Sequence, residues 1–196
     1  MSKIITNSVW FGLKCRGVRL IMAAVAASIS LAHAQTERAA KPPPEVKKTV
    51  DAFVGHWVLT GTNQEPSSRE PVHFKLAIDC RPASLGAAVS CLIAGRLPGV
   101  GPVEAAAVIG YSPDEQQVRW MEISSTGEYH DHKGRWNGDT IEFEPLLYSI
   151  SGRQATEYLS IRFPSAGQQI LRSVTETSEG KSILEWSGKR RKLILQ

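Results

Sequence analysis

The sequence predicts an all-β fold, one antiparallel sheet of about ten strands closed into a single barrel and entered by a short N-terminal helix. Three observations carry this. Val72, Phe74, Leu76 and Ile78 alternate with His73, Lys75 and Asp79, a period of two that gives a strand with one wet face. The stretch Gln117 to Glu144 holds Trp120, Tyr129, Trp136 and Phe143 between turn residues at Ser125-Thr126-Gly127 and Asn137-Gly138, the pattern of a β-meander. Only one stretch has helical spacing and no strand–helix–strand alternation follows it, which argues against any parallel design.

In chain order, the first 34 residues read as an export signal. Lys3, Lys14, Arg16 and Arg19 come without an acid, the apolar run Leu20 to Leu31 follows, and Ala32-His33-Ala34 offers cleavage after Ala34. Ser28 and Ser30 interrupt the run, and it is well short of the roughly 20 residues a membrane span needs. The expected product is periplasmic or secreted. Without the leader the chain has 19 basic and 19 acidic residues, against 23 and 19 overall, so the basic balance belongs to the leader and no nucleic-acid footprint remains. Residues 35–44 form a polar, Pro-rich linker, and 45–196 are expected to form one domain with one core.

Val46, Val50 and Phe53 recur at helical spacing after Pro42-Pro43-Pro44, giving about two turns of helix that end near Gly55. Strands are expected at 56–62, 72–79, 85–94, 103–111, 118–123, 128–133, 140–144, 157–163, 169–177 and 182–187, each bounded by turn residues. The runs 85–94 and 103–111 are apolar at successive positions, which predicts packing on both faces. Cys80 and Cys91 bracket Arg81-Pro82 and Gly86, the spacing of neighbouring strands joined by a turn. Of the three cysteines Cys15 belongs to the leader, and the even count that remains in an oxidising compartment favours a disulfide; two buried free thiols are the other reading.

Phe53-Val54-Gly55-His56-Trp57, a short helix running into G-x-W on the first strand, resembles the opening of lipocalin-like (calycin) barrels. The resemblance implies that Arg190 or Arg191, after the last strand, packs over Trp57, and that the first and last strands are neighbours. Gly110-Tyr111-Ser112-Pro113 and Gly127 to Phe143 look like a group of small exported bacterial proteins of unknown function thought to share that barrel. Nitrobindin-like haem barrels have a similar opening and hold iron through a histidine on a late strand. Here no histidine follows His132, so the haem reading lacks its axial ligand and no cofactor is expected.

Closed sheets of this strand number enclose room for one small ligand. A binding protein for a small apolar or amphipathic molecule is therefore the leading expectation, with Trp57, Trp120, Tyr129 and Trp136 as candidate lining. An envelope interaction module with a filled barrel is the alternative. Glu128, His130 and His132 are candidate metal ligands, because residues two apart on a strand share a face. Lys133-Gly134-Arg135-Trp136 follows where a cupin-type pattern needs a carboxylate, so a solvated strand face is preferred to a metal-dependent enzyme. Gly180-Lys181-Ser182 imitates the end of a phosphate-binding loop, but it lies in a hairpin rather than between strand and helix. G-x-S-x-G is absent, and a non-enzymatic reading is preferred. No outward apolar band with aromatic girdles is visible, which argues against a membrane-embedded barrel. The oligomeric state is left open.

Overall fold

The computed structural model describes residues 42–97, 100–150 and 152–191. The expected signal peptide, its cleavage site and most of the linker lie outside these residues. Helix α1 (Pro44–Phe53) opens the described chain with proline at its first turn, where the missing N–H costs no hydrogen bond. Its apolar stripe, Val46, Val50 and Phe53, is buried together with Thr49.

Eleven strands follow: β1 (Gly55–Gln64), β2 (Val72–Ala83), β3 (Ala88–Leu97), β4 (Gly101–Ser112), β5 (Gln117–Ser124), β6 (Tyr129–Asn137), β7 (Thr140–Phe143), β8 (Leu146–Ile150), β9 (Arg153–Ser165), β10 (Gln168–Thr177) and β11 (Gly180–Arg191). Each pairs antiparallel with its neighbours. Ten of them close a ring, in the order β1 to β7, then β9, β10 and β11, with β11 returning to β1. The expected first-to-last contact is present, with Trp57 opposite Arg190. Strand β8 is additional to the ten anticipated. It continues β7 along β9 after a break at Glu144-Pro145, because proline can donate no ladder bond. Consequently β6 pairs with β7 only over Gly134–Asn137, and among the described residues its first half faces β8 without a hydrogen-bonded ladder.

Inward positions alternate with outward ones on every wall. Leu59, Leu76, Ile78, Val89, Ile109, Val118, Ile141, Ile161 and Leu171 fill the interior. The prediction that β3 and β4 are packed on both faces does not hold. Leu92 is 65% exposed and Val108 42% exposed, since no second layer covers the outer wall. Leu85 likewise lies outside β3, in a turn at φ 56°. Gly134 allows a close approach: a Cβ there would sit 2.7 Å from Phe143 Cδ1. Cys80 and Cys91 stand opposite each other in the β2–β3 register and are bridged, with 4.0 Å between their Cα atoms. Among the described residues no helix is long and apolar enough to cross a membrane.

Candidate functional site

One end of the barrel is closed. Helix α1 lies across it, Phe53 meets Phe163 and Trp120 edge-on at 5.1 and 6.1 Å, and Trp57 donates its indole N–H to Phe53 O at 2.7 Å. Arg190 covers that indole, its guanidinium carbon 4.6 Å from the ring centroid. Arg190 Nη2 also donates to Asp51 O and Ala52 O at 2.7 and 2.9 Å, two carbonyls that the helix end leaves without intrahelical partners. Of the two arginines implied by the calycin resemblance, Arg190 is the one on Trp57.

The opposite end is open and holds a cavity of about 280 Å³. Leu76, Ile93, Leu97, Val103, Leu184 and Trp186 form most of its wall, and Glu122, Ser124 and Glu128 supply a polar side. Larger concavities of about 480 to 560 Å³ elsewhere are more open grooves of the molecular surface.

Beside Glu122 in the β5–β6 register stands His130, and with it begins a buried polar cluster. The expected solvated face does not hold: His130 and His132, which share a face as their spacing requires, turn inward from β6 with His132 only 4% exposed, and Glu157 reaches them from β9. Glu157 Oε2 lies 3.5 Å from His130 Nδ1 and 3.6 Å from His132 Nε2. Ser173 Oγ on β10 donates to the other carboxylate oxygen. The Tyr148 ring of β8 lies against His130, with centroids 4.6 Å apart. His132 is enclosed by Trp120 and Phe143, at 6.1 and 5.6 Å.

The electrostatics follow from this enclosure. Burial pushes the Glu122 carboxyl above its ordinary value, partly offset by the charge of His130 and the Trp120 N–H, which donates at 3.1 Å. Burial acts on Glu157 in the same direction, but His130, Ser173 and His132 outweigh it and hold that carboxyl below the usual range. His130 is lowered by burial and raised more by Glu157 and its acidic neighbours, so it ends above the ordinary histidine value. Burial prevails at His132 and lowers it. Burial also pushes the Tyr148 hydroxyl up to about 12.

The structure distributes the anticipated lining residues differently. Trp57 and Trp120 are 1% and 6% exposed and belong to the packed interior, while the Trp136 N–H donates to Thr49 Oγ1 of the helix at 3.0 Å. Tyr129 is a correction: it is 59% exposed on the outer wall, because the alternation that turns His130 inward turns its neighbour outward. The aromatic ring at the cavity is Trp186. Glu128 lines the cavity, whereas the carboxylate that joins His130 and His132 is Glu157. Glu157 shares a strand face with Leu159, Ile161 and Phe163, and an acid in such an apolar period-two run is a signal available in the sequence.

No protein-family model and no curated protein sequence matches this chain. Fold comparison gives significant matches. The M. tuberculosis protein Rv2717c aligns over 78% of this chain and 100% of its own, with TM-score 0.59 and 14% identity. The S-type phycobiliprotein lyase CPES from Guillardia theta aligns over 73% of this chain and 90% of its own, with TM-score 0.53 and 12% identity. At these identities the likeness is one of fold, and the fold is a calycin-like antiparallel barrel.

Proposed function

We propose that this protein is an exported barrel that binds one small amphipathic molecule in its open end. The observation that carries the reading is the 280 Å³ cavity, whose apolar wall of Leu76, Leu97, Leu184 and Trp186 faces a side bearing Glu122 and Glu128. Apolar lining with a few placed polar groups is the usual construction of a ligand site. The apolar body of the ligand lies on the first wall and a hydrogen-bond-donating or cationic end meets the carboxylates. The closed floor limits the site to compact molecules, since α1 and the Trp57–Arg190 contact fill the other end. The Cys80–Cys91 bridge supports export, because such bonds persist in oxidising compartments.

The neutral aromatic amine N-phenyl-1-naphthylamine is a suitable probe, because its fluorescence rises in apolar surroundings. Saturable enhancement at one site per chain is expected, and Ala105→Phe, which places a ring in the cavity, should abolish it while leaving the unfolding midpoint within about 1 kcal/mol. Absence of saturable binding, or a probe indifferent to Ala105→Phe, would overturn the ligand site. Export is tested separately: the N-terminus of protein recovered from the periplasm should be Gln35.

A further inference from the structure

We propose that His130, His132 and Glu157 form a binding site for one divalent transition-metal ion of the zinc and cobalt class. The three donors come from two strands, β6 and β9, and sit where β6 and β8 run side by side without pairing among the described residues. One ligand atom from each of the three lies within 4.8 Å of the others, and Glu157 Oε2 faces His130 Nδ1 and His132 Nε2.

The distances place Glu157 Oε2 within ion-pair reach of both imidazoles but outside a close hydrogen bond to either. Glu157 Oε2 is 3.5 and 3.6 Å from the two imidazole nitrogens, beyond the usual 2.7–3.2 Å of an N–H···O bond, by the general geometric criterion. Two ligand atoms that share a tetrahedral ion at about 2.0–2.2 Å each are separated by roughly 3.4 Å, so the two Glu157–histidine spacings already match those of a shared cation. Glu157 Oε2 is also buried without a hydrogen-bond partner. A buried carboxylate oxygen that accepts no hydrogen bond is costly, and a coordinated cation removes the cost.

The surroundings fit as well. Ser173 Oγ holds the second oxygen of Glu157, the kind of outer hydrogen bond that orients a ligating carboxylate. Phe143, Trp120 and Tyr148 pack on the two imidazoles and restrict their rotation. His130 Nε2 and His132 Nδ1, the nitrogens facing away, would carry the protons when the facing nitrogens ligate, and among the described residues they have no acceptor, a place for bound water. Two histidines and one carboxylate suit zinc, iron or cobalt rather than calcium or magnesium. Three protein ligands leave at least one coordination position for water or another molecule. The bridged Cys80 and Cys91 can supply no thiolate. This inference does not depend on the amphipathic-ligand reading, and its test uses metal alone.

The experiment takes the protein made without a polyhistidine tag, strips it with a chelator, and titrates it with cobalt(II) by visible absorption and with zinc by calorimetry. One equivalent is expected per chain, with a cobalt spectrum of nitrogen and oxygen ligation and no thiolate charge-transfer band. His130→Ala and Glu157→Gln, each checked for folding by near-ultraviolet circular dichroism, should weaken binding by more than ~100-fold, and Ser173→Ala by ~10–100-fold. His73→Ala, on the outer wall, should change nothing. If Glu157→Gln fails to fold, His130→Ala and Ser173→Ala decide the matter. No saturable binding by the unaltered protein, a stoichiometry other than one, or folded His130→Ala and Ser173→Ala proteins that bind like the parent would overturn the site.

Discussion

Replacing Arg190 by methionine isolates what the end of the chain contributes to the closed floor. Methionine keeps most of the aliphatic stem and removes the guanidinium, and with it the contact at 4.6 Å over Trp57 and the bonds to Asp51 O and Ala52 O. The two bonds share one nitrogen and are charge-assisted, so together they are worth ~2 kcal/mol. The cation–π contact adds ~0.5–1 kcal/mol at a half-buried position. Burial lowers the Arg190 pKa, with Asp51 only partly offsetting it; this desolvation offsets part of the gain, and a net loss of ~2–3 kcal/mol remains. For a domain of this size that is about 5–10 °C in Tm. Arg191 stands opposite His56, one position out of phase with the inward face, and Arg191→Met should stay within ~0.5 kcal/mol of the parent. Urea unfolding followed by tryptophan fluorescence gives both values. Hydrogen exchange at the Val54 amide, which caps Val50 O, should accelerate only in Arg190→Met. An unchanged midpoint for Arg190→Met, or equal losses for the two arginines, would refute the argument that the guanidinium ties the first helix to the last strand.

The carboxyl of Glu122 is raised above its ordinary value of 4.5, chiefly by burial. The folded state therefore holds this proton more tightly than the unfolded chain, and stability is lost as pH rises through the unfolded value toward the folded one. Glu122→Gln should accordingly raise the thermal midpoint near neutrality and confer no advantage below the unfolded value; parallel parent and variant curves across this range, measured in chelator, would contradict it. Reducing the Cys80–Cys91 bridge, whose partners are 11 residues apart, should cost ~3 kcal/mol in the chain-entropy treatment, and a non-reducing peptide map should join the two cysteines. Trp57→Ala should cost ~3–5 kcal/mol, because the indole is 1% exposed and donates to Phe53 O; a denaturation midpoint equal to the parent's would remove that residue from the floor.

The sequence by itself determined the architecture, for a physical reason. A strand that buries one face must alternate, a two-residue turn must use residues such as Asn137-Gly138, and a helix preceding G-x-W must end before Trp57 turns inward. These constraints are local, so they are written locally. Alternation also determined that His130 and His132 share a face, though not that this face is the inner one, and it could have shown that Tyr129 does not join them. The three-dimensional arrangement decided the rest. Glu157 is 25 residues beyond His132, and only the pairing of β9 with β7 and β10 brings its carboxylate to the histidines. The break at Glu144-Pro145 looks like an ordinary turn in the sequence, yet it separates β8 from β6 and leaves the polar cluster in the gap. Trp186 could not be distinguished from Trp57, Trp120 and Trp136 as the one at the cavity, because all four rings lie on strands and satisfy the same hydrophobic pattern. Which aromatic plugs the floor and which lines the open end depends on height along the barrel axis, set by the strand register and the position of α1.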